Sequence, residues 1–297
     1  MPDPDIIRYA RQSRWSDPGR FAAYLDPLPA DPVALSEIVG GLVLHPFFAP
    51  TGTDRSEAAL RSVADLLAAL LARDPRPLEQ TREPQNRLIG TCRSYALLTC
   101  AILRHHAVPA RLRVGFADYF APGYYEDHWV CEYHDGEGWR LLDAELTADI
   151  CRRLGIEFDP ANVPRHRFLL AGPAWLSLRR GERDPARFGV SPLGLAGEWF
   201  VAGSLLRDLA ALTMDETMPW DHWGPARDFR PGRPVPAEWV ARLDALAAAL
   251  SGPTIGHDDA LAVRVAHPWA ALTPTVLSFP DGNPIDVALG KSVIGSS

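Results

Sequence analysis

A thiol, an imidazole and a carboxylate stand in the order Cys92, His128, Asp143. Together these are the parts of a nucleophilic acyl-transfer site. Cys92 falls in the first turn of a predicted helix, where unpaired backbone N–H groups and the positive end of the helix dipole favour a thiolate. Gly90, two residues earlier, permits close backbone approach, which suits a substrate carbonyl reaching the sulfur. His128 opens a predicted strand directly after a loop, and Asp143 closes the next strand. In such a site His128 takes the thiol proton, while Asp143 holds the imidazole tautomer and stabilises its charged form. The Cys92 backbone N–H is one oxyanion donor, and Gln85 and Asn86 are the side-chain amides within range by sequence for a second. Taken singly, each member has a plainer reading. A lone cysteine at a helix start is most often a small buried hydrophobe, and a histidine or aspartate at a strand end is usually structural. The signal lies in the combination.

The elements that must position these residues are legible around them. Leu60, Val63, Leu66, Leu67, Leu70 and Leu71 recur at helical spacing and predict a helix over 54–73, with Asp54 or Ser56 as its cap and Pro75 as its stop. A second helix begins at Cys92 with Thr91 as N-cap and ends near His105-His106, before Val108-Pro109. The period then changes to two: Ala110, Leu112, Val114 and Phe116 alternate with Arg111, Arg113 and Gly115, a strand. Residues 128–133 and 139–144 are two further strands joined by the turn Asp135-Gly136-Glu137-Gly138. A loop of even length pairs His134 with Trp139 and sets Val130 opposite Asp143. His128, two residues from Val130, then shares a sheet face with Asp143. An odd loop would put them on opposite faces.

Tyr119, Phe120, Tyr124, Tyr125 and Trp129 crowd the sequence on either side of His128 and are candidate walls of a substrate groove, against core packing as the alternative. Residues 1–50 read as short helices laid over the body, 145–195 as mixed, 196–218 and 236–250 as helical, and the last 45 or so as short strands or loops. The whole of 1–297 reads as one α+β domain, with its core at about 54–180 and a helical elaboration at about 181–297.

Composition narrows the function classes. The chain has 297 residues, of which 47% are hydrophobic and 23% charged, enough apolar material for a core and too much for wholesale disorder. Its net charge of −7 argues against a general nucleic-acid binder. No apolar run approaches a membrane span, and the start lacks a basic region followed by an apolar stretch. The spacings of Cys92, Cys100, Cys131 and Cys151 match no metal knuckle, and their number is too small for a disulfide scaffold, so a reduced, cytoplasmic setting is expected. Lys291 is the single lysine among many arginines, a pattern of GC-rich coding.

The residues around the candidate site resemble a known family. Gly90-Thr91-Cys92-Arg93-Ser94-Tyr95-Ala96-Leu97-Leu98 with Val108-Pro109-Ala110-Arg111 is similar to the nucleophile helix and following strand of transglutaminase-like proteins, whose superfamily shares a papain-like core. Asp127-His128-Trp129-Val130-Cys131-Glu132-Tyr133 and Gly138-Trp139-Arg140-Leu141-Leu142-Asp143 resemble its histidine and aspartate strands. The resemblance spans about residues 85–145 and implies Cys92 as nucleophile, His128 as base and Asp143 as the third member, on a cysteine helix packed on an antiparallel sheet. Ser94 departs from it, since bacterial members commonly carry an acidic residue there. The loop Gly115-Phe116-Ala117-Asp118-Tyr119-Phe120 is most similar to a set of bacterial transglutaminase-like proteins of about this length, which implies no particular substrate.

Other features carry less. His105 and His106, adjacent on a helix, point in different directions and do not chelate; a favourable interaction with the helix C-terminus explains them, and no metal is expected. Pro219-Trp220-Asp221-His222-Trp223-Gly224 reads as an aromatic turn packed on the body, and Arg179-Arg180 as solvated surface. Gly290-Lys291-Ser292 has the ending of a phosphate-binding loop but Ile285 where that loop needs glycine, so no nucleotide is expected. The expected function is cysteine-dependent acyl transfer on a peptide, protein or small-molecule acyl substrate, without a cofactor, nucleic acid or membrane. A non-catalytic binding or scaffold protein on the same fold is the alternative.

Overall fold

The computed structural model describes residues 4–252 and 254–290. Lys291 and Ser292 lie outside them. The chain forms two compact units: residues up to Leu112 together with Val130–Pro164, and Arg113–Trp129 together with residues from Arg165 on.

The first unit opens with α1 (Pro4–Arg8), α2 (Pro32–Leu42), the two-residue strand β1 (Val43–Leu44) and α3 (Val63–Arg73). Asp31 caps α2 by accepting from the Ala34 amide, with Pro32 at the first helical position. The helix expected over 54–73 is split. Asp54 accepts from the Ser56 amide at 2.9 Å and leads into a short 3-10 turn at Ser56–Ala59. Leu60 then turns extended, and Ser62 caps a new start by accepting from the Asp65 amide. Two good caps eight residues apart give two helix starts rather than one.

β2 (Leu88–Ile89) leads into α4 (Cys92–His105), which begins and ends where expected and packs against α2 and α3. The chain continues through β3 (Ala110–Ala117), β4 (Tyr125–His134), β5 (Trp139–Leu142) and α5 (Ala148–Leu154). β4 and β5 pair from His134↔Trp139 to Cys131↔Leu142, the register expected of the four-residue turn. Asp135 fixes that turn by accepting from the Glu137 and Gly138 amides at 2.8 Å each. Gly136, at φ 98°, supplies the left-handed conformation.

The second unit adds β6 (Phe168–Leu170), α6 (Ala171–Arg179), β7 (Phe188–Val190), β8 (Leu195–Ala196), α7 (Glu198–Leu212), β9 (Asp221–His222), α8 (Ala237–Leu250), α9 (His257–Ala266), β10 (Thr275–Ser278) and β11 (Ile285–Ala288). α6 packs against α7 and α8. α9 occupies a stretch expected to be strand or loop. Only Ala260 is buried along it, so no apolar stripe announces it. Trp223 is 1% exposed and donates to the Ala270 carbonyl at 2.9 Å, packing as expected. Ile285 is the first residue of β11.

The main sheet runs in the order β6-β3-β4-β7-β8, with β5 also on β4. It is mixed, not antiparallel as expected, because β7 joins β4 in parallel. A long crossover through β5, α5, β6 and α6 brings β7 back pointing the same way. The α+β layering, a mixed sheet flanked by helices, is consistent with a papain- or transglutaminase-like core at the superfamily level.

All eight residues of β3 are buried, including the arginines that alternate with its apolar residues. In the first unit Arg111 meets Glu132 at 2.8 Å with its guanidinium 3.9 Å from the Trp139 ring centroid. In the second, Asp208 of α7 accepts from Arg113 Nε at 3.0 Å, from its Nη2 at 2.9 Å and from the Val114 amide at 2.9 Å. Buried charge persists when it is paired in this way.

Candidate functional site

Cys92 is the first residue of α4 and is 6% exposed. Thr91 occupies the N-cap position with extended backbone, but its hydroxyl makes no capping bond and is buried without a partner. The expected side-chain cap is therefore absent, and the turn is held by its surroundings. Gly90 donates to the Leu44 carbonyl at 3.1 Å. The Tyr95 hydroxyl, one turn into α4, donates to the Val43 carbonyl at 3.0 Å, and burial drives its pKa well up. A Cβ on Gly90 would lie 2.7 Å from Ser94 Cβ and 3.0 Å from Val43 Cγ1. Gly90 is thus needed for close packing of the protein on itself.

Asp143 follows β5 at 2% exposure. Its amide donates to the Pro160 carbonyl at 2.9 Å, and its Oδ1 accepts from the Glu145 amide at 3.1 Å. The β4–β5 register, continued one step, sets Val130 opposite Asp143.

His128 lies on β4 at 3% exposure, in the second unit. Three rings enclose it there: Phe120 at 4.8 Å between centroids, Tyr119 at 6.1 Å and Phe168 at 6.3 Å, all edge-on. Asp118 anchors the approach to these rings by accepting from Arg167 Nε at 2.6 Å.

Of the aromatic residues proposed as groove walls, the structure brings Tyr119 and Phe120 to His128. Tyr125 and Trp129 differ from His128 by an odd number of positions on β4 and face the other side of the strand. Tyr125 stacks on Phe188 at 4.4 Å, and its hydroxyl accepts from Arg183 Nε at 3.1 Å. Trp129 is 1% exposed, a core residue. Tyr124 is half-buried, and desolvation pushes its pKa up to about 12.

Gln85 and Asn86 sit on a 3-10 turn at Pro84–Asn86, before β2, whereas Cys92 follows β2. Gln85 is exposed and Asn86 half-buried. β2 is only two residues long, so both amides stay close in the chain to the Cys92 turn.

The sequence reading gave no role to a second buried charge set. Asp127, beside His128 and facing the other way, has its Oδ1 buried without a hydrogen bond, and desolvation raises its pKa to about 6 against the pull of Arg207. Arg207, on α7, is 2% exposed and donates to Ser204 Oγ at 3.1 Å. The partners lie 80 positions apart in the chain, so no local pattern marks them.

None of the four cysteines is in a disulfide. The Cys100 and Cys131 sulfurs lie 3.4 Å apart in the core of the first unit, and burial pushes the Cys131 thiol well up. At the end of α4, His105 Nε2 lies 2.7 Å from Asp26 Oδ1. Among the described residues no helix is long and apolar enough to cross a membrane.

Residues 51–144 match the family model of the transglutaminase-like superfamily. No curated protein matches the chain. A solved structure from Cytophaga hutchinsonii, described as a candidate cysteine protease, is similar at 18% identity and a TM-score of 0.37, over 57% of this chain and 48% of that one. The chain thus spans about half the length of that protein.

Proposed function

We propose that this protein, whose residues 51–144 match the transglutaminase-like superfamily, is a cysteine-dependent acyl-transfer enzyme with Cys92 as nucleophile, His128 as base and Asp143 as the orienting carboxylate. The observation that carries the reading is the position of Cys92 as the first residue of a 14-residue helix inside the matched region. A helix start favours the thiolate, and it offers the Cys92 amide to an oxyanion. The β4–β5 register supports the other two roles. Continued one step past Cys131↔Leu142 it sets Val130 opposite Asp143, and His128 lies at the two-residue step from Val130 that keeps one face of a strand.

In this mechanism His128 accepts the Cys92 proton as the sulfur attacks the substrate carbonyl. The carbonyl oxygen becomes an oxyanion and accepts from the Cys92 N–H. Collapse expels the amine, which takes the proton from the imidazolium and leaves an acyl-thioester. Water or a second amine then attacks, losing its proton to His128, and the thiolate is released. Water gives an amidase or peptidase, and an amine gives a transglutaminase or amide-forming ligase.

Turnover of acyl substrates by Cys92→Ala and Asp143→Asn variants tests the reading. Cys92→Ala abolishes turnover with its circular dichroism unchanged. Asp143→Asn lowers kcat by about two to four orders of magnitude, by disturbing the imidazole tautomer. Retained turnover in Cys92→Ala removes the thiol from the mechanism.

A further inference from the structure

Two adjacent phenylalanines on the loop after β1 stay exposed, Phe47 at 43% and Phe48 at 42%. Their place follows from the pairing of two very short strands. β1 and β2 run parallel, in the register Val43↔Leu88 and Leu44↔Ile89, so both end at the same edge. Beyond β2 the chain passes through Gly90 and Thr91 into Cys92. Beyond β1 it passes through His45 into Phe47 and Phe48. The loops at the carboxyl ends of parallel strands emerge side by side.

The two exits are tied together. Gly90 donates to the Leu44 carbonyl, and its missing Cβ lets Val43 approach. The Tyr95 hydroxyl donates to the Val43 carbonyl, joining β1 to the first turns of α4. The aromatic loop is itself ordered. The Phe48 amide donates to the His45 carbonyl at 2.9 Å, the Phe47 amide donates to His45 Nδ1 at 3.2 Å, and the His45 ring lies 4.9 Å from Phe47 and 6.0 Å from Phe48. Arg153 covers one side of Phe48 at 5.2 Å. Arg153 shares the Asp149 carboxylate with Arg152, at 3.4 and 3.1 Å, so a cationic rim borders one side of the two rings.

We propose that His45, Phe47 and Phe48 form a subsite for an aromatic or large aliphatic side chain of the acyl substrate, beside Cys92. The inference rests on the reading of Cys92 as the nucleophile, and it adds a substrate class to it. A ring seated there removes apolar surface from water on both partners and holds the carbonyl near the sulfur.

Iodoacetamide and N-benzyl-iodoacetamide, each normalised to its rate with glutathione, test the subsite through their labelling of Cys92, read by peptide mass spectrometry. The benzyl reagent is expected to label Cys92 roughly tenfold faster than the plain one. In a Phe47→Ser/Phe48→Ser variant with unchanged circular dichroism, that ratio is expected to fall to about one. A ratio near one in the wild type, with Cys92 reactive, overturns the subsite and leaves the nucleophile standing. So does a ratio that survives the double substitution. Self-association that the double substitution abolishes, with a ratio near one, assigns the patch to a second copy of the chain instead. No labelling of Cys92 by either reagent removes the nucleophile and the subsite together.

Discussion

Each unit gathers aromatic rings around a histidine, and the two clusters are built to different ends. Around His128, Tyr119 at 5% and Phe168 at 1% exposure are shut from water while Phe120 is half-buried, and the imidazole itself is at 3%. Around His45 the rings of Phe47 and Phe48 stay more than two-fifths exposed. A buried ring cage restricts the orientation of an imidazole. An exposed ring pair leaves apolar area for something else to cover. The supports differ in the same sense. β3, which belongs to the same unit as His128 over its later half, is locked to α7 by the buried Arg113–Asp208 pair. The turn at Cys92 is held to β1 by a close approach at Gly90 and by the Tyr95 hydrogen bond.

That contrast can be broken from either side. The larger effect is expected at Asp208→Asn, which leaves the Arg113 guanidinium in the core without its counter-charge. The expected loss is about 3–5 kcal/mol of unfolding free energy, read by denaturant titration. A loss below 1 kcal/mol would show that water relieves the charge and that the buried lock is weaker than its geometry. A smaller effect is expected at Gly90→Ala. The added methyl meets Ser94 and Val43 within 3.0 Å, and overpacking of this kind costs about 1–3 kcal/mol. The same substitution shifts the β1 exit away from the Cys92 turn, so the preference of Cys92 for the benzyl reagent falls with it. An unaltered preference would uncouple the aromatic loop from that turn.

What the sequence disclosed was local. The thiol at a helix start shows in Gly90-Thr91-Cys92, and the hairpin register shows in Asp135-Gly136-Glu137-Gly138, because each depends on a few neighbouring residues. What it withheld depends on distant partners. Arg111 and Arg113 are held in the core by partners far away in the chain: Glu132 lies 21 positions from one and Asp208 lies 95 from the other. The aromatic loop after β1 has no sequence signal, because two strands of two residues each carry no period. Tyr125 and Trp129 were grouped with His128 by nearness in sequence, and strand alternation sends them to the opposite face.

The central claim is that Cys92 is an activated thiolate, and alkylation by iodoacetamide at about pH 6, well below the ordinary thiol pKa of ~8.5, tests it most directly. Peptide mass spectrometry reads all four cysteines at once. The account predicts fast, selective labelling of Cys92, lost in a His128→Ala variant, while Cys131 and Cys151, whose pKa values burial raises, stay unlabelled. Slow labelling spread evenly over Cys92, Cys100, Cys131 and Cys151 would contradict it and leave Cys92 a packed thiol on a scaffold.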